Sequence, residues 1–153
     1  MQIIYLNYFL AAIIAYLGLL LGVILIKLAP EEQTPGKKYF VLLKKILFIL
    51  ILASFLFFYK INFILSIMIL IIVLIISKKT NLSKSHLIYF ILGIIFYFSY
   101  FSKIFDLFII ESILIFLYGI PTASLILKKK NYFDIFVRNL WFFLPIILFY
   151  LVT

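Results

Sequence analysis

Six apolar stretches fill this chain: residues 3–26, 46–59, 61–76, 87–101, 107–127 and 140–152, with short charged breaks between them. The first covers 24 residues, which as a helix spans roughly 36 Å against a hydrocarbon core of about 30 Å. Residues 46–76 form no single helix. Their 31 residues would reach about 46 Å, and Lys78 and Lys79 would then emerge opposite Lys44 and Lys45. A tight turn at Tyr59-Lys60-Ile61-Asn62 resolves both problems. It makes two spans, the first starting near Tyr39 so that it is long enough. The last stretch is also short, and its helix is expected to begin near Asn131, with Asp134 and Arg138 one turn apart and Pro145 as a possible kink. The pattern predicts an all-α integral membrane protein, a bundle of six transmembrane helices forming one polytopic domain over residues 1–153.

Charge sets the expected orientation. Of 14 basic residues, 12 fall in alternate breaks (27–45, 78–84 and 128–138), and the other breaks carry only Lys60 and Lys103. Basic loops stay on the cytoplasmic side, so both termini are expected outside and three basic loops inside, in a cell membrane. No Lys or Arg precedes Lys27, and the first apolar run is about twice the length of a signal-peptide core; it is expected to remain as a span.

Composition agrees. The chain is 68% hydrophobic with a mean hydropathy of +1.34, beyond the roughly 45–50% apolar content of soluble domains. The net charge of +9 sits at helix ends, where it meets anionic headgroups rather than nucleic acid. No cysteine is present, which excludes disulfides, thiol catalysis and iron–sulfur ligation.

Local signals refine the loops and faces. Pro30 followed by Glu31 and Glu32 reads as a helix start, and Thr34-Pro35-Gly36-Lys37 as a turn. Beyond it, Lys37, Lys38, Lys44 and Lys45 fall within about 120° of a helical arc, a basic face expected to contact anionic lipid or to snorkel. In the first span Ala11, Ala15, Gly18 and Gly22 form a small-residue stripe, a close-packing face for another span of the chain or for a second copy or partner. Phe96 to Phe101 reads as an aromatic interfacial belt, and Gly119-Ile120-Pro121 as a bend or loosening.

Residues with chemistry are sparse. Glu111 is the one acid expected within hydrocarbon, about 7–8 Å deep if its helix begins at Asp106. A carboxylate there costs several kcal/mol unless it faces a cavity, pairs with a base or takes a proton. Asp106, Ser112, Lys60 and Lys103 complete a candidate polar site, the two lysines being the expected partners of Glu111. His86 is the only histidine, a poor case for metal or catalysis, and the acids lack the pairing that intramembrane proteases need. No cofactor is implied. The expected function is a non-enzymatic accessory or assembly subunit of a membrane complex; the alternative is a small transporter or channel with an outward-facing site around Glu111.

Single cysteines introduced at Gln33, Asn81 and Asn131 should be shielded from an impermeant thiol reagent in intact cells, and one at Asn62 should react. External labelling at any of the first three positions contradicts the six-span orientation.

Overall fold

The structure, a computed structural model, describes residues 2–79, 85–126 and 132–152. Nearly all of those residues are helical, without a strand: α1 (Gln2–Leu28), α2 (Gln33–Phe58), α3 (Phe63–Lys79), α4 (Ser85–Phe101), α5 (Phe105–Ile126), α6 (Tyr132–Asn139) and α7 (Phe143–Val152). A 3₁₀ turn, Leu140–Phe142, joins the last two into one bent rod, giving six rods. Three stretches are long and apolar enough to cross a membrane, Asn7–Leu28, Pro30–Phe58 and Phe105–Leu125; Phe63–Val73 and His86–Phe101 are apolar but shorter. Asn81, Lys84 and residues 127–131, which carry much of the second and third expected basic breaks, lie outside the described residues.

The boundaries follow local chemistry. Pro30 occupies the first position of a 3₁₀ turn, Pro30–Glu32, and Gln33 begins α2 at once. The expected turn at Thr34-Pro35-Gly36-Lys37 is therefore helix. Pro35 falls in the first turn, where an amide hydrogen has no intrahelical acceptor and its absence costs nothing. At the other end of α2 the predicted turn is present. The Lys60 amide donates to the Phe57 carbonyl at 3.0 Å and the Ile61 amide to Leu56 at 3.2 Å, the paired bonds of a Schellman cap. Lys60 takes its left-handed position with φ 51°. Lys103 repeats the arrangement after α4, with φ 58° and its amide on the Tyr100 carbonyl at 3.1 Å. Asn62 Oδ1 then accepts the Ile64 amide at 3.2 Å and caps α3.

Pro145 explains the bent rod. It has no amide hydrogen for the Trp141 carbonyl and its ring crowds that turn, so the chain tightens to 3₁₀ over Leu140–Phe142. Near the end of α6 two main-chain carbonyls accept side-chain donors: Asn139 Nδ2 donates to Ile135 at 2.8 Å, and the Tyr16 hydroxyl, from α1, donates to Phe136. Pro121 acts differently, since α5 continues as α-helix through it.

Helix α5 lies at the centre, against α1, α2 and α4. Its contact with α1 is made by glycine. A Cβ on Gly18 would collide with the Phe116 carbonyl, one on Gly119 with the backbone of Gly18 and Leu19, and one on Gly22 with Ile120 and Ala123. Both sets of numbers increase together, so the two helices run parallel. Ala12 and Ala15 are buried and Ala11 half-buried, and α5 covers the Gly18 and Gly22 part of the small-residue stripe. A second close approach, Gly93 of α4 against Phe142 and Pro145, seats the bent rod. Aromatic rings fill the remaining space: Tyr8, Phe96, Tyr100 and Phe108 at one level, and Tyr16, Tyr89 and Phe142 at another. The expected aromatic belt is accordingly split, with Phe98 and Phe101 outward and Phe96 and Tyr97 in the core, because consecutive helical residues diverge by about 100°.

Gly18→Leu should remove at least about 1–3 kcal/mol of stability, since the added side chain meets backbone that cannot yield. Gly36→Ala, whose Cβ would meet only the edge of the Phe40 ring, should leave the melting temperature unchanged or higher. Equal melting of both variants and wild type in mild detergent would contradict the α1–α5 crossing.

Candidate functional site

Helices α2 and α5 run antiparallel and face each other along two stripes of helical spacing. Lys44, Leu47, Ile51 and Ser54 lie on α2; Glu111, Ile115, Tyr118 and Thr122 lie on α5. The seam carries polar groups toward both ends and an apolar layer, Leu47, Ile51 and Ile115, between them, all buried.

At one end stands Glu111, fully buried. Its Oε1 accepts a hydrogen bond from Ser54 Oγ at 2.7 Å. The same hydroxyl lies 2.9 Å from the Leu50 carbonyl and 3.0 Å from Ile51. A hydroxyl has one proton to give, and the carboxylate is the nearest of the three acceptors. Glu111 Oε2 is buried with no hydrogen-bond partner among the described residues. The one polar group within hydrogen-bond distance of this carboxyl among the described residues is the Ser54 hydroxyl.

The rest of the expected site is elsewhere. Asp106 is exposed in the first turn of α5, where a negative charge suits the helix dipole. Ser112 returns its hydroxyl to the Phe108 carbonyl at 2.6 Å. Lys60 and Lys103, the expected partners of Glu111, are exposed and occupied as left-handed helix caps at the negative ends of α2 and α4. Neither forms an ion pair with Glu111 among the described residues. His86 is half-buried with its ring 6.3 Å from that of Trp141, and no three His, Asp or Glu side chains cluster among the described residues.

The basic face of α2 divides. Lys37 and Lys38 are exposed and Lys45 half-buried, whereas Lys44 turns inward and is only 4% exposed. Its Nζ lies 5.6 Å from the centroid of the Tyr118 ring. Tyr118 also packs against Tyr89 of α4, ring centroids 5.8 Å apart. Lys44, Tyr118 and Tyr89 were not grouped by sequence reasoning; the signal that joins the first two to Ser54 and Glu111 is the shared three- and four-residue spacing on two facing helices.

No family model matches the chain. Neither a curated protein nor a solved structure matches it. The reading of the site therefore rests on its own chemistry.

Ser54→Ala deprives a buried carboxyl of its one partner and should lower stability by about 1–3 kcal/mol. Glu111→Met, which removes the buried polar group at similar volume, should be neutral or stabilising. With Glu111→Met in place, Ser54→Ala should cost less than half as much, and thermal unfolding of the four proteins measures that coupling. Additive effects would mean that the Ser54–Glu111 bond carries no stability.

Proposed function

We propose that the chain is a small six-span transporter of the cell membrane, with both termini outside and its basic segments cytoplasmic, that exchanges a proton or a monovalent cation at Glu111. The observation that carries this reading is the buried Glu111 carboxyl, held through Oε1 by Ser54 and with Oε2 unpartnered. An ionisable group kept within an apolar bundle at a cost of several kcal/mol marks a functional site by default. The Glu111 carboxyl and the Ser54 hydroxyl beside it are oxygen donors, which suit a proton or a small hard cation, and a single carboxylate matches a single positive charge. Leu47, Ile51 and Ile115 close the seam toward the basic end, so passage requires α2 and α5 to part there. Pro121 supplies a weak point on α5, since the Leu117 carbonyl lacks its usual amide partner.

A second reading, the accessory or assembly subunit, is supported by α3. Among the described residues this helix packs chiefly on α2 and leaves most of its large apolar side chains exposed, Phe63, Ile64, Met68 and Ile75 among them. Between α2 and α3 lies an apolar cavity of about 570 Å³, lined in part by Leu56, Phe57, Ile61 and Leu70. A transmembrane partner seated there would complete the packing of α3.

Proteoliposomes distinguish the two. Wild-type protein should dissipate an imposed proton or sodium gradient, and Glu111→Gln should reduce the rate to that of empty vesicles while retaining the folded melting profile. Lys103→Gln, at a helix cap, should transport normally. Gradients that decay no faster with wild-type protein than in its absence refute the transport reading.

A further inference from the structure

The cavity between α2 and α3 has a polarity that its occupant must match. Its volume of about 570 Å³ lies within the roughly 300–1,000 Å³ of small-molecule sites, and all of its lining residues except Lys60 and Ser66 are apolar. Ser66 adds little, since its hydroxyl lies 3.4 Å from the Ile61 carbonyl. Lys60 therefore gives the cavity its charge. The backbone of Lys60 caps α2 with φ 51°, but its side chain is exposed and forms no ion pair among the described residues. No acid lines the cavity among those residues either.

The cavity is also shallow along the helix axes. Ala53, its first lining residue on α2, precedes Lys60 by seven positions, and Leu70, its last on α3, follows Phe63 by seven, so each wall descends about 10 Å from the turn. That depth fits within one leaflet of a hydrocarbon core of about 30 Å. A partner helix crosses both leaflets, so this space would match only about a third of its length; an acyl chain stays in one leaflet and bends to fill an irregular wedge. Phe57 and Phe63, three positions to either side of Lys60 and each 77% exposed, line the cavity near its mouth, where aromatic rings suit the headgroup level. A lipid presents the complement in the same order, an anion at the interface and hydrocarbon beneath it.

We propose that the α2–α3 cavity holds one acyl chain of an anionic phospholipid, with Lys60 pairing its phosphate at the mouth. The lipid comes from the leaflet into which the α2–α3 turn opens. It acts as a splint, filling the space that the side chains of α3 leave and giving that helix a fixed seat on α2. The site is separate from Glu111 and holds a resident lipid rather than a transported species or a partner subunit.

The full chain, purified in mild detergent, is incubated with an equimolar mixture of phosphatidylglycerol and phosphatidylcholine, and bound lipid is counted by native mass spectrometry. Wild-type protein should retain phosphatidylglycerol in preference, because a lysine repels the positive choline. Lys60→Asn removes the charge and suits the left-handed backbone, so it should fold at least as well as wild type and lose about fivefold in that preference, the scale of one lysine at an anionic surface. Lys103→Asn makes the same change at a cap that does not line the cavity, and should retain lipid as wild type does. Ala53→Phe and Leu70→Trp fill the cavity from its two walls with the charge intact; whichever melts as wild type should bind less of either lipid. Equal retention of the two lipids by wild type, an unchanged preference in Lys60→Asn, or undiminished lipid on a folded cavity-filling variant overturns the proposal. So does a lipid-free dimer that Ala53→Phe dissociates, which would seat a second copy in the cavity. None of these readouts involves ion flux, so the lipid site can fail while the transport reading stands, and the reverse.

Discussion

The parallel crossing of α1 and α5 is the constraint on which the rest of the structure depends. Between helices in lipid there is no hydrophobic gain from association, so backbones must come close enough for dispersion contacts to accumulate. Gly18 against Phe116, Gly119 against Gly18 and Leu19, and Gly22 against Ile120 and Ala123 provide that approach. Once α5 is drawn in this far, it has protein on several sides, with α2 and α4 completing its surroundings. A central helix has few directions in which to hide a polar side chain from protein, and Glu111, Tyr118 and Thr122 are all buried.

That burial gives the seam its chemistry. The polar ends, Ser54 with Glu111 and Lys44 with Tyr118, are separated by Leu47, Ile51 and Ile115, which make no hydrogen bonds through their side chains. An acid and a base on one seam would ordinarily neutralise each other. Here about 15 Å of helix and an apolar layer between them keep each without a counter-ion. The arrangement is costly for stability compared with two apolar residues. The same apolar layer that prevents neutralisation also bars water from running the length of the seam.

Much of this was legible in the sequence, and what was not has identifiable causes. The helical class, the α2–α3 turn and the start at Pro30 follow from periodicity and turn chemistry. The small-residue stripe was legible as a packing face, but its occupant was not, because Gly119 and Ala123 lie about a hundred positions away in the chain. Lys60 and Lys103 were misassigned as partners of Glu111 since a left-handed C-cap normally announces itself through glycine or asparagine, and these two caps use lysine. Lys44 could not be told from Lys45. Four lysines within one arc leave open which edge of that arc turns to the core, and only the position of α5 decides it. Thr34-Pro35-Gly36 misled because the residues that favour a turn are also tolerated in the first turn of a helix. Tyr16 on the Phe136 carbonyl joins residues 120 positions apart, so no local signal could disclose it.

Helix α3 shows what the absence of these devices does. It has no glycine, and its side chains from Phe63 to Ile76 are apolar on every face except at Ser66, whose hydroxyl lies 3.4 Å from the Ile61 carbonyl. A uniformly apolar helix gains little by choosing protein over lipid, and without a small-residue stripe it cannot approach a neighbour closely. The short turn at Lys60 therefore holds it near α2 while the packing between them stays open, and the cavity beside Leu56 and Ile61 is the space that better-fitted side chains would fill. Glycine content and polar spacing thus divide the molecule in two: α1, α2, α4, α5 and the bent rod form a packed unit around two buried ionisable side chains, and α3 is an appendage whose position the chain itself barely specifies. Any partner helix of this protein would find its least contested surface there, away from the α2–α5 seam.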